Sequence, residues 1–354
     1  MRYLIALGFI IISFSCSKNE KLGIRTFKKF PKEINLLQEE VKTKPVLYFV
    51  AGMALMDSIL ITVDLKSDIF FQVFKLPAYN YLGGFMPKGK GPEEELSVDP
   101  YIQHIGSNKI LYRSATSIKI AKFNVEKNKI EVLDKMNLPG ELMNLSHIFK
   151  LGDCIYGSNL DMKTEKEFVG YNPKTKKIFD FGQDYPKVDK TIDVSKRNMV
   201  FAKAIAVKPD ATLFAAVYDK FPILRIYSKD GILKNEVRFD NNQSFPEALL
   251  QSNPSELSIG KLMQNYRMIR ASNRFIYALY IGKTSGEMKM NERGLDDFSN
   301  EIHVWDWEGN PVMKILLDRK IFTFDVVADD NYLICTSLNS IDKIYKYSIH
   351  GDNN

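Results

Sequence analysis

The chain has 354 residues, a formal net charge of +6 at pH 7 and 45% hydrophobic residues. This length allows one large domain or two ordinary ones, and the apolar fraction is sufficient for a packed core. The lysines are scattered without a block of five or six like charges, so the composition argues against nucleic-acid binding.

The first fifteen residues have the features of an export signal. Arg2 supplies a positive start, and an apolar stretch from Leu4 to Phe14 follows it. This stretch is shorter than the roughly 20 residues that a membrane-spanning helix needs. We therefore predict that residues 1–15 are a signal peptide, so that the mature protein holds 48 basic and 43 acidic residues once Arg2 is removed from the 49.

Cys16 follows the small residue Ser15 at the position where cleavage is expected. This context resembles the lipobox of bacterial lipoproteins, in which the cysteine receives acyl chains such as palmitate and becomes the first mature residue. The resemblance implies a lipid anchor at Cys16, a polar tether over residues 16–23 and a place in the cell envelope. The outer membrane of a Gram-negative bacterium is the location we expect. Ordinary secretion with an incidental cysteine is the alternative.

A short motif recurs six times along the rest of the chain. An Asp or Asn and one spacer residue precede an apolar pair that opens a strand-like run. The copies begin at Asp57, Asn108, Asp153, Asp210, Asn273 and Asn331, and they lie 51, 45, 57, 63 and 58 residues apart. A period near fifty residues made of turn and strand signals predicts a β-propeller with one four-stranded sheet in each repeat.

A second motif recurs in step with the first. It is an apolar run that ends in an aromatic residue and is followed by turn residues. The aromatic residues are Phe74, Phe123, Tyr171, Tyr227, Trp305 and Tyr347. In five of the six copies the next residue is Asn, Ser or Asp, which predicts a hairpin between the third and fourth strands of each blade.

Together the motifs predict an all-β domain over residues 24–354, a six-bladed β-propeller with four antiparallel strands in each blade. The predicted blades cover residues 45–86, 98–139, 145–183, 198–240, 265–318 and 320–350. The last unit has only three strand-like runs. We expect the N-terminal segment 24–30 to supply its outer strand and to close the ring, because closure removes exposed sheet edges.

Two stretches break the period. Within residues 244–264, the stretches Ser244-Phe245-Pro246-Glu247 and Asn253-Pro254-Ser255-Glu256 both have a pattern typical of helix N-termini, with Pro or Glu in the first turn, which predicts two short helices. Residues 283–299 form a polar insertion in the fifth blade. Such insertions often lie on the binding face of a repeat protein, and a loop without function is the alternative.

The stretch Gly89-Lys90-Gly91-Pro92-Glu93-Glu94 lacks the spacing and the following Ser or Thr of a phosphate-binding loop. A rigid turn between blades explains it better. A Gly-x-Gly-Pro-x-Glu turn after the first blade, behind a lipoprotein signal, resembles the TolB-like six-bladed propeller lipoproteins of gut and related Gram-negative bacteria. The resemblance implies the fold and the envelope location more than an activity.

The sequence has no evident catalytic or metal-binding constellation. Its four histidines are dispersed, and no Ser lies in a Gly-x-Ser-x-Gly elbow. The acidic runs, including Glu93-Glu94-Glu95, do not match a calcium loop and are expected to be solvated turns. Cys154 and Cys335 fall on opposite sides of the predicted ring, so we expect two unpaired buried thiols. We therefore expect no metal, no cofactor and no catalysis.

Candidate ligand-binding residues come from the first strand of each blade, which lines the centre of a propeller. The positions six or seven residues before each copy of the first motif sample these strands. The polar and aromatic residues found there are Tyr101, His147, Lys203, Tyr266, Arg267 and Asp325. Cationic side chains among them favour an anionic or carbonyl-bearing ligand, and the tyrosines offer stacking faces. The alternative is that they line a hydrated channel.

The interpretation that these features favour is a membrane-anchored envelope lipoprotein that acts as a non-catalytic binding or scaffold propeller. Its expected partners are the membrane, through the lipid, and a small molecule or a protein at the channel mouth. The alternative is a metal-dependent hydrolase of the six-bladed lactonase type. Asp325 is the only carboxylate among the sampled inner positions, which counts against that alternative, and bound divalent metal would distinguish the two.

Overall fold

The structure is a computed structural model that describes residues 23–44, 46–115, 117–159, 164–253, 255–288, 299–337 and 339–349. The predicted signal peptide, Cys16 and all of the predicted tether except Gly23 lie outside the described residues, as does most of the 283–299 insertion. In the described part of the chain, every helix is too short or too polar to span a bilayer.

Within these described ranges, twenty-six strands form six sheets. Three N-terminal strands come first, namely β1 (Ile24–Phe27), β2 (Glu33–Leu36) and β3 (Glu39–Val41). Blade one holds β4 (Val50–Leu55), β5 (Ile59–Asp64), β6 (Ile69–Lys75) and β7 (Asn80–Pro87). Blade two holds β8 (Gln103–His104), β9 (Lys109–Ser114), β10 (Ser117–Asn124) and β11 (Lys129–Asn137). Blade three holds β12 (Leu145–Leu151), β13 (Cys154–Asn159), β14 (Lys166–Asn172) and β15 (Lys177–Asp184).

The second half of the ring repeats this order. Blade four holds β16 (Lys203–Val207), β17 (Leu213–Tyr218), β18 (Ile223–Ser228) and β19 (Leu233–Phe239). Blade five holds β20 (Met263–Ala271), β21 (Phe275–Thr284), β22 (Glu301–Asp306) and β23 (Pro311–Leu317). Blade six holds β24 (Ile321–Val326), β25 (Tyr332–Ser337) and β26 (Ser340–Ser348). The six-bladed fold is confirmed.

An N-terminal strand completes blade six, but it is not the one predicted. The outer strand is β3, which pairs with β26 in antiparallel fashion. The predicted segment 24–30 instead places β1 parallel to β19, and β2 pairs in the same way with β23. Blades four and five therefore have five strands each, and their outer edges are covered.

The two sequence motifs mark equivalent turns in every blade. Each Asp or Asn of the first motif lies in the turn before the second strand, and each aromatic of the second motif is buried in the third strand. The residue after the aromatic often caps the next hairpin. Asn172 Oδ1 accepts hydrogen bonds from the backbone N–H of Lys174 at 3.0 Å and of Thr175 at 3.1 Å, and Asn124 caps its hairpin in the same way.

Antiparallel pairing within the blades gives the ring two distinct faces. The turns between first and second strands, and between third and fourth strands, lie on what we call the front face. The connections between blades, and the turns between second and third strands, lie on the back face. The first motif therefore lies on the front face.

The helices lie in connections on the back face. They are the 3-10 turns Gly140–Leu142, Val194–Lys196 and Glu247–Leu250 and the α-helical turns Arg197–Val200 and Glu256–Gly260. Two of them confirm a short helical insertion within 244–264. Ser255 caps the second as predicted, accepting a hydrogen bond from Ser258 N at 3.2 Å. Ser244 does not cap the first, which begins after Pro246.

The Gly-x-Gly-Pro-x-Glu turn connects blades one and two. Glu94 Oε2 closes it by accepting a hydrogen bond from Gly91 N at 2.8 Å. The next residue, Glu95, is 5% exposed and not solvated, contrary to the prediction for this acidic run. Its carboxylate binds Ser114, Lys119 and the Tyr112 hydroxyl, the last at 3.2 Å. Because its carboxylate is paired with a lysine and hydrogen-bonded, Glu95 can be buried in the packing between blades one and two although it follows a turn.

Candidate functional site

A cavity of about 650 Å³ occupies the front half of the central channel. Every blade contributes to its wall, through Leu55, Tyr101, Phe149, Ile205, Arg270 and Asp325 in blade order. Turns that carry the first motif form the rim, where Asp57, Ser58 and Asn273 lie. The volume falls in the range of small-molecule sites, roughly 300–1,000 Å³.

Arg270 is the central cation of this cavity. Its Nε lies 3.6 Å from Asp325 Oδ1, and its guanidinium carbon lies 5.4 Å from the ring centre of Tyr101. Nη1 donates a hydrogen bond to the Ile269 carbonyl at 2.9 Å. The Nε contact exceeds a normal hydrogen-bond length. Asp325 therefore supplies charge compensation, while the guanidinium keeps donor capacity toward the cavity.

Asp325 is held in place by the backbone. Its Oδ2 accepts a hydrogen bond from Leu55 N at 2.7 Å, and its Oδ1 accepts one from Val326 N at 2.9 Å. Burial raises the pKa of Asp325, and Arg270 opposes that shift. Because two backbone donors satisfy its oxygens, Asp325 can orient Arg270 without being a free ligand group itself.

Tyr101 links blade two to blades three and four at the channel wall. Its hydroxyl donates to the Ile205 carbonyl at 3.2 Å, and its ring meets that of His147 edge to face, with centroids 5.0 Å apart. Burial raises the pKa of Tyr101. The hydroxyl therefore stays protonated at neutral pH, and the ring offers Arg270 and a ligand an aromatic face.

His104 adds a polar atom without a protein partner to the cavity wall. In the described part of the chain, His104 Nε2 is buried and makes no hydrogen bond. Burial lowers the pKa of this imidazole, while nearby Asp57 raises it. A neutral imidazole with an unused nitrogen can bind a ligand hydroxyl or amide.

The six residues predicted from the sequence do not form one site. Tyr101 and Asp325 line the cavity, and His147 contacts it only through Tyr101. Arg267 is exposed, and its charge helps to lower the pKa of His147. Tyr266 is buried, with its hydroxyl 3.1 Å from His303 Nδ1.

Lys203 is enclosed between blades three and four and does not face the channel. It is 2% exposed, and its Nζ donates to the Glu167 carbonyl at 3.2 Å. The ring centres of Phe168, Tyr185 and Tyr218 lie 5.2, 5.3 and 5.8 Å from Nζ. Burial lowers the pKa of Lys203 to about 8. Mutation of Lys203 would therefore test packing between blades and not ligand binding.

The chain matches the family described as "TolB-like 6-blade propeller-like" over residues 27–329. The chain belongs to this family. A solved DUF4221-family protein of Bacteroides vulgatus ATCC 8482 is similar in fold, with a TM-score of 0.59 and 10% identity over 88% of this chain and 95% of that one. A solved protein of Bacteroides fragilis NCTC 9343, which is named for its expected export, is also similar in fold. Its TM-score is 0.57, with 13% identity over 92% of this chain and 99% of that one. No curated protein matches the chain.

In the part of the chain that the structure describes, the cysteines and acidic residues form no evident metal centre. Cys335 is buried as predicted, Cys154 is only half-buried, and both are free thiols. Within the described ranges, no three His, Cys, Asp or Glu side chains group so that they could hold a metal ion.

His147 gives the protein a predicted pH dependence. Burial and the charges of Lys203 and Arg267 lower its pKa from 6.5 to about 4. Between these values the unfolded chain binds a proton that the folded protein does not. The contribution of His147 to the free energy of unfolding is therefore fully present above pH 6.5. It is lost as the pH drops toward 4, which lowers the free energy of unfolding by up to about 3 kcal/mol.

Urea unfolding of the wild type and of His147→Asn at pH 7.5 and 4.5 checks this expectation. Asparagine tolerates the left-handed backbone at this position, where φ is 49°. The variant should lose less stability on acidification than the wild type. Equal losses in the two proteins would show that His147 does not titrate as inferred.

Proposed function

We propose that this protein is an exported, lipid-anchored binding protein of the bacterial envelope, and that its central cavity binds a small molecule with an anionic group. The position of Arg270 carries the proposal, because this cation faces an enclosed cavity while Asp325 and Tyr101 hold it in place. The similarity to a Bacteroides protein named for export supports the envelope location.

The chemistry of the cavity favours a carboxylate over a neutral ligand. A guanidinium presents donors in a planar fork that matches a carboxylate, and the partly enclosed site strengthens the charge-assisted contact. The Tyr101 ring and the unpartnered His104 nitrogen suit an organic body that carries a hydroxyl or amide. The cavity volume suits a small molecule.

Matched pairs of carboxylates and their amides test this proposal. We expect acetate, succinate and benzoate to bind the purified protein more tightly than acetamide, succinamide and benzamide in calorimetric titrations. Each pair differs mainly in charge, so the difference isolates the contact with the cation. Replacing Arg270 by glutamine should weaken carboxylate binding by about ten- to a hundredfold, equivalent to about 1.5–3 kcal/mol.

Lys176→Gln is the control, because it removes one exposed cation far from the cavity wall. It should leave the carboxylate affinities unchanged. If the Arg270→Gln protein unfolds normally and still binds every carboxylate as the wild type does, the anion site lies elsewhere. The groove beside the 241–246 connection, with a volume of about 230 Å³, would be the next site to test.

A further inference from the structure

The direction of β1 fixes the face of the ring from which the N-terminal tether leaves. Because β1 is parallel to β19, it runs from the front face toward the back face. Arg25 confirms this placement, since its Nη1 donates to Asn310 Oδ1, at 2.7 Å, in a front-face hairpin of blade five. The described chain therefore begins, at Gly23, at the end of β1 that points toward the front face, where the cavity opens.

One sector of the front face, in blades two to four, carries a cluster of positive charge, whereas front-face turns of blades five and six carry Asp306, Glu308 and Asp329. We define the lysine rim as the exposed lysines in front-face hairpins of blades two to four, which are Lys127, Lys129, Lys174, Lys176, Lys177 and Lys229. Hairpin segments 125–129, 173–177 and 229–232 hold these six lysines and two acids, Glu126 and Asp230, a net charge of +4 against +6 for the whole chain.

The lysines of this rim that form ion pairs with nearby aspartates remain able to bind an anionic ligand. Lys174 Nζ lies 2.7 Å from Asp153, and Lys229 Nζ lies 2.7 Å from Asp230, but all four side chains are more than 60% exposed. Exposed pairs of this kind contribute little free energy. Ile232, which is 53% exposed in the blade-four hairpin, adds an apolar side chain next to the rim.

We propose that the front face, through the lysine rim, lies against an anionic phospholipid bilayer, so that the cavity opens toward the membrane. This orientation rests on the proposed lipid anchor at Cys16. The seven residue-to-residue steps from Cys16 to Gly23 span at most about 25 Å when extended. An anchor on so short a tether keeps the front face near the bilayer, where basic side chains attract anionic headgroups and Ile232 contacts the interface.

Lysine acetylation of the full lipidated protein tests the orientation. The protein is reconstituted in vesicles of phosphatidylglycerol and phosphatidylethanolamine, and its acetylation rates are compared by mass spectrometry with those in detergent. We expect Lys176 and Lys177 to react at least about fivefold more slowly in vesicles. The exposed back-face lysines Lys90, Lys187 and Lys261 should react at unchanged rates.

Replacing lysines of the rim with glutamates distinguishes protection by binding to lipid headgroups from protection that arises only because the anchor holds the rim near the bilayer. Combining Lys174→Glu, Lys176→Glu and Lys177→Glu should remove most of the protection at Lys127 and Lys129. The matched back-face triple, Lys90→Glu, Lys187→Glu and Lys261→Glu, should leave it intact. Vesicles of phosphatidylcholine alone should protect the rim less than anionic vesicles do.

The outcomes distinguish this inference from the proposed function. If the protein floats with vesicles but both faces react equally, the orientation is wrong while the anchor stands. Protection of the back face alone would also overturn the orientation. If the protein does not float with vesicles after a high-salt wash, the anchor is wrong, and the orientation fails with it, whereas carboxylate binding in the cavity is unaffected.

Discussion

Replacing Arg225 with methionine is expected to lower the free energy of unfolding by about 3–5 kcal/mol, because it removes the cation paired with the buried Glu167 carboxylate, whereas Glu236 keeps its ion pair with Arg238. Arg225 Nη1 lies 2.8 Å from Glu167 Oε2, and Nη2 lies 2.6 Å from Glu236 Oε2. The three side chains are at most 4% exposed. Glu167 belongs to blade three and the other two to blade four, so this cluster connects neighbouring blades.

Two tyrosines complete the cluster. The hydroxyls of Tyr218 and Tyr227 both donate to the Glu167 carboxylate. Burial raises the pKa of each hydroxyl well above 10, with the Glu167 charge adding to the shift. They remain donors at every pH at which the protein is folded, but neutral donors cannot replace the lost positive charge.

Urea unfolding at pH 7.5 measures the effect, and Lys229→Met is the control. That variant removes a cation of an exposed pair with Asp230 and should change the stability by about 0.5 kcal/mol or less. Adding Glu167→Gln to Arg225→Met should restore part of the stability, because the uncompensated charge is then gone. A loss below about 1 kcal/mol in the single variant would show that water or rearrangement compensates the carboxylate.

The blade count was predictable because each blade repeats the same local chemistry. An Asp or Asn before the second strand and a capped turn after the aromatic of the third are short-range requirements, visible without knowledge of the packing. The partner of an N-terminal strand is a long-range matter. Segment 24–30 offers strand-like residues, whereas β3 is Glu39-Glu40-Val41 and has little strand propensity. Nothing local indicates that β3 pairs with β26, or that β1 and β2 add parallel to the outer edges of blades four and five.

The site was less predictable because a fixed number of residues before each copy of the first motif does not reach the same level of the channel in every blade. The first-to-second turns differ in length: β12 and β13 are separated by two residues, whereas five separate β24 and β25. Pairing of β20 with β21 also shifts register around Tyr266. Counting a fixed distance back therefore selected Lys203 and Tyr266, which are enclosed, and missed Arg270, three residues before Asn273.

Burial of charge was the other feature that the sequence did not disclose. Glu95, Glu167 and Arg225 are almost fully buried, although charged residues are usually exposed. Their partners lie on other strands or in neighbouring blades, up to 60 residues away in the chain for the Tyr227–Glu167 pair. Only the closed ring brings such partners together, so the pattern of apolar residues gives no sign of them.

Substituting Cys16 with serine is expected to remove essentially all membrane association of the protein. A serine hydroxyl at this position cannot receive the thioether-linked lipid, and each acyl chain contributes about 0.8 kcal/mol per buried CH₂. Two or three chains hold a protein far better than one. The exposed surface of the ring, including the lysine rim, offers only salt-sensitive attraction to headgroups. Membrane fractionation with a high-salt wash measures the result.

The Cys154→Ser variant is the control, since it removes another thiol that is only half-buried and should leave fractionation unchanged. We expect the Cys16→Ser protein in the soluble fraction, or retained with an uncleaved signal peptide that electrophoretic mobility would reveal. If a processed Cys16→Ser protein still sediments with membranes after the wash, the anchor is not a lipid on this cysteine. The attraction would then reside in the folded ring, and the front-face lysines would be the first residues to mutate.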